Sequence, residues 1–394
     1  MSDSRLVPNI RFKKFEIQWS KYKFADMLDK NNGIRRGPFG SSLRKDSFVK
    51  KGDYVVYEQQ NAIYNMYKTR YNINKSKFEE LKKFELQPGD FIMSGAGTIG
   101  KISEVPEGIT PGIFNQALIR FKINKKTTSR KFFLTFMRSY TMQRKLTEKN
   151  PGSAISNLVS MKEVKNFSIV IPDKQEQQKI GNFFAKLDKL LDLQQQKIDN
   201  LELLKKTLLQ KLFPKHDSKV PELRFKGCNG EWEDCLVGNL LEVVPNKKYI
   251  TEASKKGLNP VIQQGEKPIL GFSNKAPYKE YKKVVLFGDH TLSLYKPESP
   301  FLIATDGIKI LYVKDWNGYF LFAFLQKYKP DSEGYRRHFS ILKSKKAKFT
   351  VIDKEQQKIG NLLSKVDQLI ELENKKLQNF QQLKKCLLQN MFVE

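Results

Sequence analysis

Cysteine and histidine are scarce in this chain, with three of each among 394 residues. Cys228, Cys235 and Cys386 stand at unrelated spacings, so neither a disulfide framework nor a zinc site is expected. No apolar run reaches the length of about 18 residues that indicates a membrane-spanning helix. The first six residues, MSDSRL, hold no apolar signal core. We therefore expect a cytoplasmic protein with no metal site and no membrane partner.

Acidic residues are few compared with basic ones, and the formal net charge is +29. Residues 1–175 hold 33 Lys and Arg against 16 Asp and Glu, and residues 214–354 hold 25 against 16. Most of the excess therefore lies outside the segments 176–213 and 355–394. Such an excess costs self-repulsion, which a polyanion relieves, so the charge favours nucleic acid as the partner.

One segment occurs twice. Residues 176–213 return as residues 355–392 at a constant offset of 179, and 20 of the 38 paired positions are identical. A second pair of markers, VPNIRF at Val7–Phe12 and VPELRF at Val220–Phe225, opens each half at an offset of 213. Between markers and repeats we find no convincing alignment. The chain thus alternates a variable domain with a shared segment, which indicates internal two-fold pseudo-symmetry.

Both shared segments carry apolar residues alternately four and three positions apart, the pattern of helices that pair in a coiled coil. The predicted seam comprises Ile180, Phe184, Leu187, Leu191, Ile198, Leu201, Ile359, Leu363, Val366, Ile370, Leu377 and Phe380. One seam position is polar in both copies, Gln194 and Glu373. A further apolar set, which predicts that each helix meets more than one neighbour, comprises Phe183, Leu190, Leu193, Leu362, Leu369 and Leu372.

Short apolar runs bounded by glycine and proline predict that the variable domains are mainly β with some helix. The expected fold class is α+β: two mixed α/β domains separated by two long antiparallel coiled-coil helices. The predicted bounds are 1–170 for the first variable domain, 171–215 for the central helix, 216–350 for the second variable domain and 351–394 for the C-terminal helix.

Residues Gly95–Lys101 (GAGTIGK) match G-x-G-x-x-G and nearly match Walker A. Both motifs need a helix directly after the glycines to hold phosphate. Here Lys101–Val105 reads as a strand, and Ile102 stands where Walker A needs a hydroxyl. A glycine turn between two strands is the better interpretation.

Polar and aromatic clusters in the variable domains are candidates for DNA contact, because cations and amides can hold phosphate or read base edges. The candidates are Arg35, Arg36, Ser41, Ser42, Arg44, Gln59, Gln60, Asn61, Asn115, Gln116, Gln263, Gln264, Lys275, Tyr278, Arg336 and Arg337. For each of them, ordinary solvated surface is an equally good interpretation. Because no catalytic motif accompanies them, we expect a chain that is not catalytic alone.

Four segments resemble one family. They are GDFIMSGAGTIG at Gly89–Gly100, NQALI at Asn115–Ile119, IPDKQEQQKI at Ile171–Ile180, and VIDKEQQKI at Val351–Ile359, which has Ile352 where proline is usual. Together with the repeated helices, these segments make the chain resemble, over essentially its whole length, the specificity subunit of a type I restriction-modification enzyme.

The resemblance implies that double-stranded DNA is the partner and that each variable domain is a target recognition domain, which reads one half of a split, asymmetric sequence. It implies that the helices set the spacer and dock two methyltransferase subunits, and that restriction (motor) subunits complete the complex. S-adenosylmethionine, ATP and magnesium are then expected on those partners and no cofactor on this chain. A helix of 38 residues spans roughly 57 Å, which limits the spacer to about 17 base pairs.

Two alternatives stay open. A stand-alone DNA-binding regulator would share the charge and the symmetry, and a coiled-coil scaffold would have no role on DNA.

Overall fold

A computed structural model describes the protein at residues 6–147, 160–332, 334 and 337–393. The chain divides into two units, Met1–Leu193 together with Leu377–Glu394, and Gln194–Lys376. Both shared helices therefore contribute residues to both units. Since the division falls inside these helices, the domain bounds placed at their ends remain a prediction.

The first unit contains the first variable domain. Its described strands are β1 (Ser20–Lys23), β2 (Ile34–Arg36), β3 (Tyr54–Tyr57), β4 (Tyr71–Ile73), β5 (Phe91–Ser94), β6 (Ile102–Glu104), β7 (Gly112–Phe114), β8 (Leu118–Phe121) and β9 (Ser168–Ile171). Its shorter helices are α1 (Gln59–Tyr64), α2 (Lys75–Glu80), α3 (Arg130–Arg138), α4 (Tyr140–Thr147) and α5 (Met161–Asn166). The strands form sheets in the orders β2-β8-β5-β6 and β4-β3-β7, and β1 pairs with β9.

One long helix follows each variable domain. The first is α6 (Lys174–Lys211), and the second, at the end of the chain, is α10 (Asp353–Asn390). The second unit contains the second variable domain between them. Its described strands are β10 (Glu233–Leu236), β11 (Glu242–Val244), β12 (Asn259–Ile262), β13 (Ile269–Ser273), β14 (Val285–Gly288), β15 (Leu294–Tyr295), β16 (Leu302–Ile303), β17 (Ile308–Tyr312) and β18 (Lys346–Phe349). Its shorter helices are α7 (Val237–Leu240), α8 (Gly318–Tyr328) and α9 (Phe339–Lys343).

The two variable domains have the same sheet topology. The sheets of the second are ordered β11-β17-β14-β15 and β13-β12-β16, and β10 pairs with β18. Even the single parallel pair in each three-stranded sheet recurs, as β3 with β7 and β12 with β16. All four residues of β5 and of β14 are buried, although their sequences, FIMS and VLFG, differ. A core requires apolar side chains of suitable volume in the right pattern rather than particular residues. The two domains can therefore share a fold although their sequences do not align. The α+β class is confirmed.

Both long helices have 38 residues, as the repeat predicted. In the first unit, the beginning of α6 runs antiparallel to the end of α10. The ring centroids of Phe184 and Phe392 lie 6.4 Å apart. One turn further along α6, Asp188 binds Lys384, which lies earlier in α10. In the second unit the same antiparallel pairing joins the end of α6 to the beginning of α10.

The predicted seam is largely buried. Its buried members are Ile180, Phe184, Leu187, Ile198, Ile359, Leu363, Val366 and Leu377. Its partly buried members are Leu191, Leu201, Ile370 and Phe380.

The polar seam residues Gln194 and Glu373 contact each other. Gln194 Nε2 donates to Glu373 Oε2 at 2.6 Å, and both side chains are buried. The hydrogen bond from Gln194, with those from Lys197 and Lys376, lowers the pKa of the Glu373 carboxyl to about 2. Because 194 and 373 are counterparts in the repeat, each residue meets its own equivalent, as helices related by a two-fold axis do at that axis.

A buried carboxylate at the start of each long helix holds the marker segment of its domain. In the first unit, Arg11 Nε donates to Glu176 Oε1 at 2.8 Å and Trp19 Nε1 donates to Glu176 Oε2 at 3.1 Å. In the second unit, Arg224 Nε donates to Glu355 Oε1 at 2.8 Å. Each glutamate is 1% exposed. The arginines belong to the VPxxRF markers and the glutamates belong to the repeats. Each marker therefore binds the repeat of its own unit through this ion pair.

Glycine in the repeated EQQKIGN sequence allows a domain helix to touch the long helix. A Cβ added to Gly181 would lie 2.5 Å from the backbone nitrogen of Phe132 in α3. A Cβ added to Gly360 would lie 2.6 Å from the backbone nitrogen of Phe320 in α8. Contacts this close leave no room for a methyl group. The repeated sequence is therefore a docking motif for the domain of its own unit.

We predict that Gly181→Ala destabilises the protein. In an ordinary helix interior, replacing glycine with alanine stabilises the folded protein by about 1 kcal/mol. Here the added methyl group clashes with backbone, and overpacking of this kind costs about 1–3 kcal/mol. Urea titration followed by circular dichroism measures the free energy of unfolding. The control Gln196→Ala, at an exposed position of the same helix, should change it by less than about 0.5 kcal/mol. A Gly181→Ala protein as stable as the original would contradict the close approach.

Candidate nucleic-acid interface

Two loops that carry predicted DNA contacts meet at one end of the first domain. The Gly37 N–H donates to the carbonyl oxygen of Leu118 at 3.0 Å, which ties segment 37–44 to the first residue of β8, directly after the turn that follows β7. A Cβ on Gly37 would lie 1.9 Å from the carbonyl oxygen of Asn115, so only glycine permits this approach. The same segment borders a cavity of about 190 Å³ together with Asn115 and Gln116.

The glycine loop 95–100 joins the same cluster. It connects β5 to β6, and Gly97 and Gly100 have φ angles of +61° and +81°. A strand follows the glycines, so the prediction of a turn between strands is confirmed. Gln59, at the start of α1, donates through Nε2 to the carbonyl oxygen of Ala96. The loop is therefore held against α1.

The structure sorts the predicted contacts of the first domain by exposure. Exposed candidates are Arg36, Ser41, Arg44 and Gln116. Partly buried candidates are Arg35, Ser42, Gln59, Gln60 and Asn115.

The structure corrects the prediction that Asn61 contacts DNA. Its side chain is 0% exposed. Its Oδ1 accepts the Glu58 N–H at 2.6 Å, and its Nδ2 donates to the carbonyl oxygens of Met66 at 2.6 Å and Lys68 at 3.1 Å. The amide is thus used to hold the segment after α1, and we remove Asn61 from the residues proposed to contact bases.

Arg35 and Arg36 differ although they are adjacent. The Arg35 Nη2 donates to Asn32 Oδ1 at 3.3 Å, and its guanidinium lies 6.0 Å from the ring centroid of Phe84. Arg36 is exposed. Since successive residues of a strand point to opposite faces, only one of the pair can face solvent freely. Arg36 is accordingly the stronger candidate for DNA contact.

The second domain repeats the glutamine contact in a different sequence. Gln264 follows β12 by two residues, as Gln59 follows the equivalent strand β3. Its Oε1 accepts the N–H of His290 at 3.1 Å, in the connection between β14 and β15 that corresponds to loop 95–100. Sequence reasoning assigned both glutamines to DNA. The structure places part of each amide against its own domain, a role that no sequence signal had indicated.

The remaining candidates of the second domain lie at several places. Gln263 donates to the main chain of its own loop at 2.9 Å. Lys275 is exposed and borders an open cavity of about 1260 Å³. Tyr278 is partly buried between aromatic rings, and burial raises the pKa of its hydroxyl. Arg337 is exposed, whereas Arg336 lies outside the described residues.

Exposed leucines recur at equivalent positions of the long helices, each pair separated by 179 residues. The pairs are Leu190 with Leu369, Leu193 with Leu372, and Leu204 with Leu383, and their exposed fractions lie between 41% and 53%. Four of these leucines belong to the predicted second stripe. Phe183 and Leu362 of that stripe pack against the cores, but the leucines meet no neighbour that buries them within the described chain.

Among the described residues, no helix is long and apolar enough to span a membrane. The same residues include no group of three or more His, Cys, Asp or Glu side chains placed to hold a metal ion.

Residues 16–203 match the family model of the type I restriction modification DNA specificity domain. A curated relative, the putative type I restriction enzyme MjaX specificity subunit of Methanocaldococcus jannaschii, is 25% identical, and the match covers 79% of each chain. The solved structures that are similar to this chain are less than 25% identical to it, so their likeness concerns the fold alone.

The fold is similar to that of the S subunit of a type I restriction-modification system from M. genitalium. The TM-score is 0.66 at 17% identity, over 98% of this chain and 99% of the other. A structure reported for complex assembly and conformational transition of the type I R-M system matches at a TM-score of 0.54. It is 16% identical, over 94% of this chain and 96% of that one.

We predict that Arg36→Ala and Arg44→Ala each weaken DNA binding without regard to sequence. Removing one cation from a phosphate should make the slope of log K against log salt concentration shallower by about 0.9. Fluorescence anisotropy at several salt concentrations measures this slope. The control is Lys82→Ala, since Lys82 is exposed but paired with Glu79, and it should leave the slope unchanged. Unaltered slopes for both arginine variants would remove Arg36 and segment 37–44 from the interface.

Proposed function

Because residues 16–203 belong to the type I restriction modification DNA specificity domain family, and because the whole chain is similar to specificity subunits, we propose that it reads a bipartite DNA target. Each variable domain reads one half. The observation that carries this proposal is the pair of domains with one topology and unrelated sequences, each fixed by the same motif to a long helix.

The two halves of the target differ in sequence because the two readers differ. At equivalent positions the first domain has the glycine loop 95–100 beside Gln59, and the second has the His290 turn beside Gln264. A two-fold frame with identical readers would select a palindrome, as symmetric DNA-binding dimers do. Unlike readers on such a frame select an asymmetric target.

The length of the long helices limits the spacer between the half-targets. Each helix has 38 residues and contributes to both units. At a rise of about 1.5 Å per residue this gives roughly 57 Å, or at most about 17 base pairs. The spacer is shorter than this limit if the readers approach the duplex from within the span.

The repeated leucines dock two methyltransferase subunits. Exposed apolar patches of this kind mark protein interaction sites. Since the same leucines recur at the repeat offset, whatever binds one set fits the other, so two copies of one partner are expected. These subunits carry S-adenosylmethionine and methylate adenine, and restriction subunits carry ATP and magnesium. This chain supplies specificity and no catalysis of its own.

A stand-alone DNA-binding regulator or a coiled-coil scaffold would share parts of this architecture. The regulator does not need the exposed leucine pairs, and the scaffold does not need the charge excess on the variable domains. The whole set of features favours the specificity subunit.

We predict that replacing residues 13–170 with the matching domain of another family member changes one half of the methylated sequence. Long-read sequencing of adenine methylation in the host measures both halves and the spacer at once. The second half of the target is the internal control, because its reader is untouched. A change in both halves, or a palindromic target before the exchange, would contradict the assignment of one domain to one half.

We predict that Leu193→Glu and Leu372→Glu each remove one methyltransferase subunit from the complex and that the double variant removes both. A charge in a buried apolar contact should weaken docking at least about tenfold. Native mass spectrometry of the co-expressed complex counts the subunits. Leu203→Glu is the matched control, because Leu203 is 62% exposed on the same helix but its counterpart is Gln382. Equal retention of both subunits in all variants would exclude the leucine patches as docking sites.

A further inference from the structure

Phe39 is the most exposed of the large apolar side chains in the described part of the chain, with 87% of its surface accessible. Its neighbours behave differently. Pro38 is buried, and Leu43 packs against the core of the three-stranded sheet. Leaving a phenyl ring in water while the adjacent residues turn inward is unfavourable for folding alone. The exposed ring is therefore available to a ligand, and its setting decides which kind.

The backbone holds the ring in this position. On one side, the Gly37 N–H donates to the carbonyl oxygen of Leu118 at 3.0 Å. On the other, residues Gly40–Ser42 form a 3-10 turn in which the Ser42 N–H donates to the carbonyl oxygen of Phe39 at 2.9 Å. Phe39 thus faces outward from a segment that is hydrogen-bonded at both ends. Because the segment is already ordered, less conformational entropy is lost when it binds a ligand.

The sequence on both sides of Phe39 is basic. Arg36, Arg44 and Lys45 lie within six residues of it in the sequence, and all three are exposed. The buried centre of a protein–protein interface is depleted of charged residues, although arginine is enriched in such interfaces as a whole. A flat apolar ring between cations fits a ligand that has both stacking faces and negative charges, and nucleic acid has both.

We propose that Phe39 is a wedge that inserts between adjacent base pairs of the first half-target. This inference rests on the proposed function and adds a distortion of the DNA to it. Phenylalanine is among the side chains that unstack a base step in this way. The ring lies on the same segment that meets Asn115 and Gln116, so insertion brings these amides to the base edges beside the opened step. The wedge adds specificity without a hydrogen bond, because steps differ in the energy needed to unstack them.

The test uses the full chain in complex with its methyltransferase subunits on a duplex that carries the mapped target. One adenine at a time in each half is replaced by 2-aminopurine, whose fluorescence rises when it is unstacked. Permanganate reactivity reports unstacked thymines in the same duplex. We compare the original protein with Phe39→Ala, with Phe39→Trp, which keeps a flat apolar ring, and with Ile17→Ala. Ile17 is 80% exposed in the same unit and serves as the matched control.

The methyltransferase subunits extrude the adenine that they methylate, so unstacking at that adenine does not depend on Phe39. Away from the methylated adenines, the original protein should unstack one further step in the first half-target. Phe39→Ala should abolish this signal and weaken binding about tenfold, whereas Phe39→Trp should retain it and Ile17→Ala should change neither. Because the side chain is exposed, the midpoint of thermal unfolding should stay the same in all variants.

Three results would overturn the wedge. The first is an unstacked step away from the methylated adenines that persists in Phe39→Ala, and the second is weaker binding by that variant when the original protein unstacks no such step. The third is dissociation of methyltransferase subunits from the Phe39→Ala complex, which would make the ring a protein contact. If the original complex binds no specific sequence at all, the proposed function itself fails, and this result differs from specific binding without unstacking.

Discussion

The structure depends on a buried carboxylate at the start of each long helix. Glu176 and Glu355 are almost completely buried, and a buried charge is costly unless it is paired and hydrogen-bonded. Arg11 and Arg224 supply the pairing through two hydrogen bonds each. Since the arginines come from the markers that open each half, a single electrostatic contact fixes where each domain begins and where its helix begins.

This anchoring separates what must stay constant from what can vary. The carboxylate sets the entry of the chain, and the glycine five residues further along the helix allows α3 or α8 to make backbone contact. Neither contact involves the strands or loops that face away from the helix. The interior of each domain then needs only apolar residues in the right pattern, and its outer loops are free to differ. Two domains with one topology and no alignable sequence are the expected product of such a constraint.

Sequence alone predicted the elements whose cause is local. The heptad pattern gave the long helices and their seam, and the strand after Gly95–Gly100 distinguished a turn from a phosphate site. Sequence alone did not predict the contacts between segments that lie far apart in the sequence. The repeat EQQKIGN was visible, but its partners Arg11 and Phe132 lie far away in the sequence. Asn61 looked like a surface amide because polarity does not reveal that a side chain is buried and bonds to the backbone of nearby residues. The second apolar stripe predicted neighbours for all its members. Phe183 and Leu362 do pack against the cores, but only the tertiary structure shows that no neighbour within the described chain buries Leu190, Leu193, Leu369 and Leu372.

The contact between Gln194 and Glu373 bears on why both repeats belong to one polypeptide. The carboxylate receives the Gln194 amide and also binds Lys197 and Lys376, which are counterparts in the repeat. Two copies of the first helix would leave both ammonium groups without an acid, and two copies of the second would press carboxylates together. Only the mixed pair satisfies every group. The polar contacts at the centre of the coiled coil therefore disfavour pairing of two identical helices and favour pairing of α6 with α10.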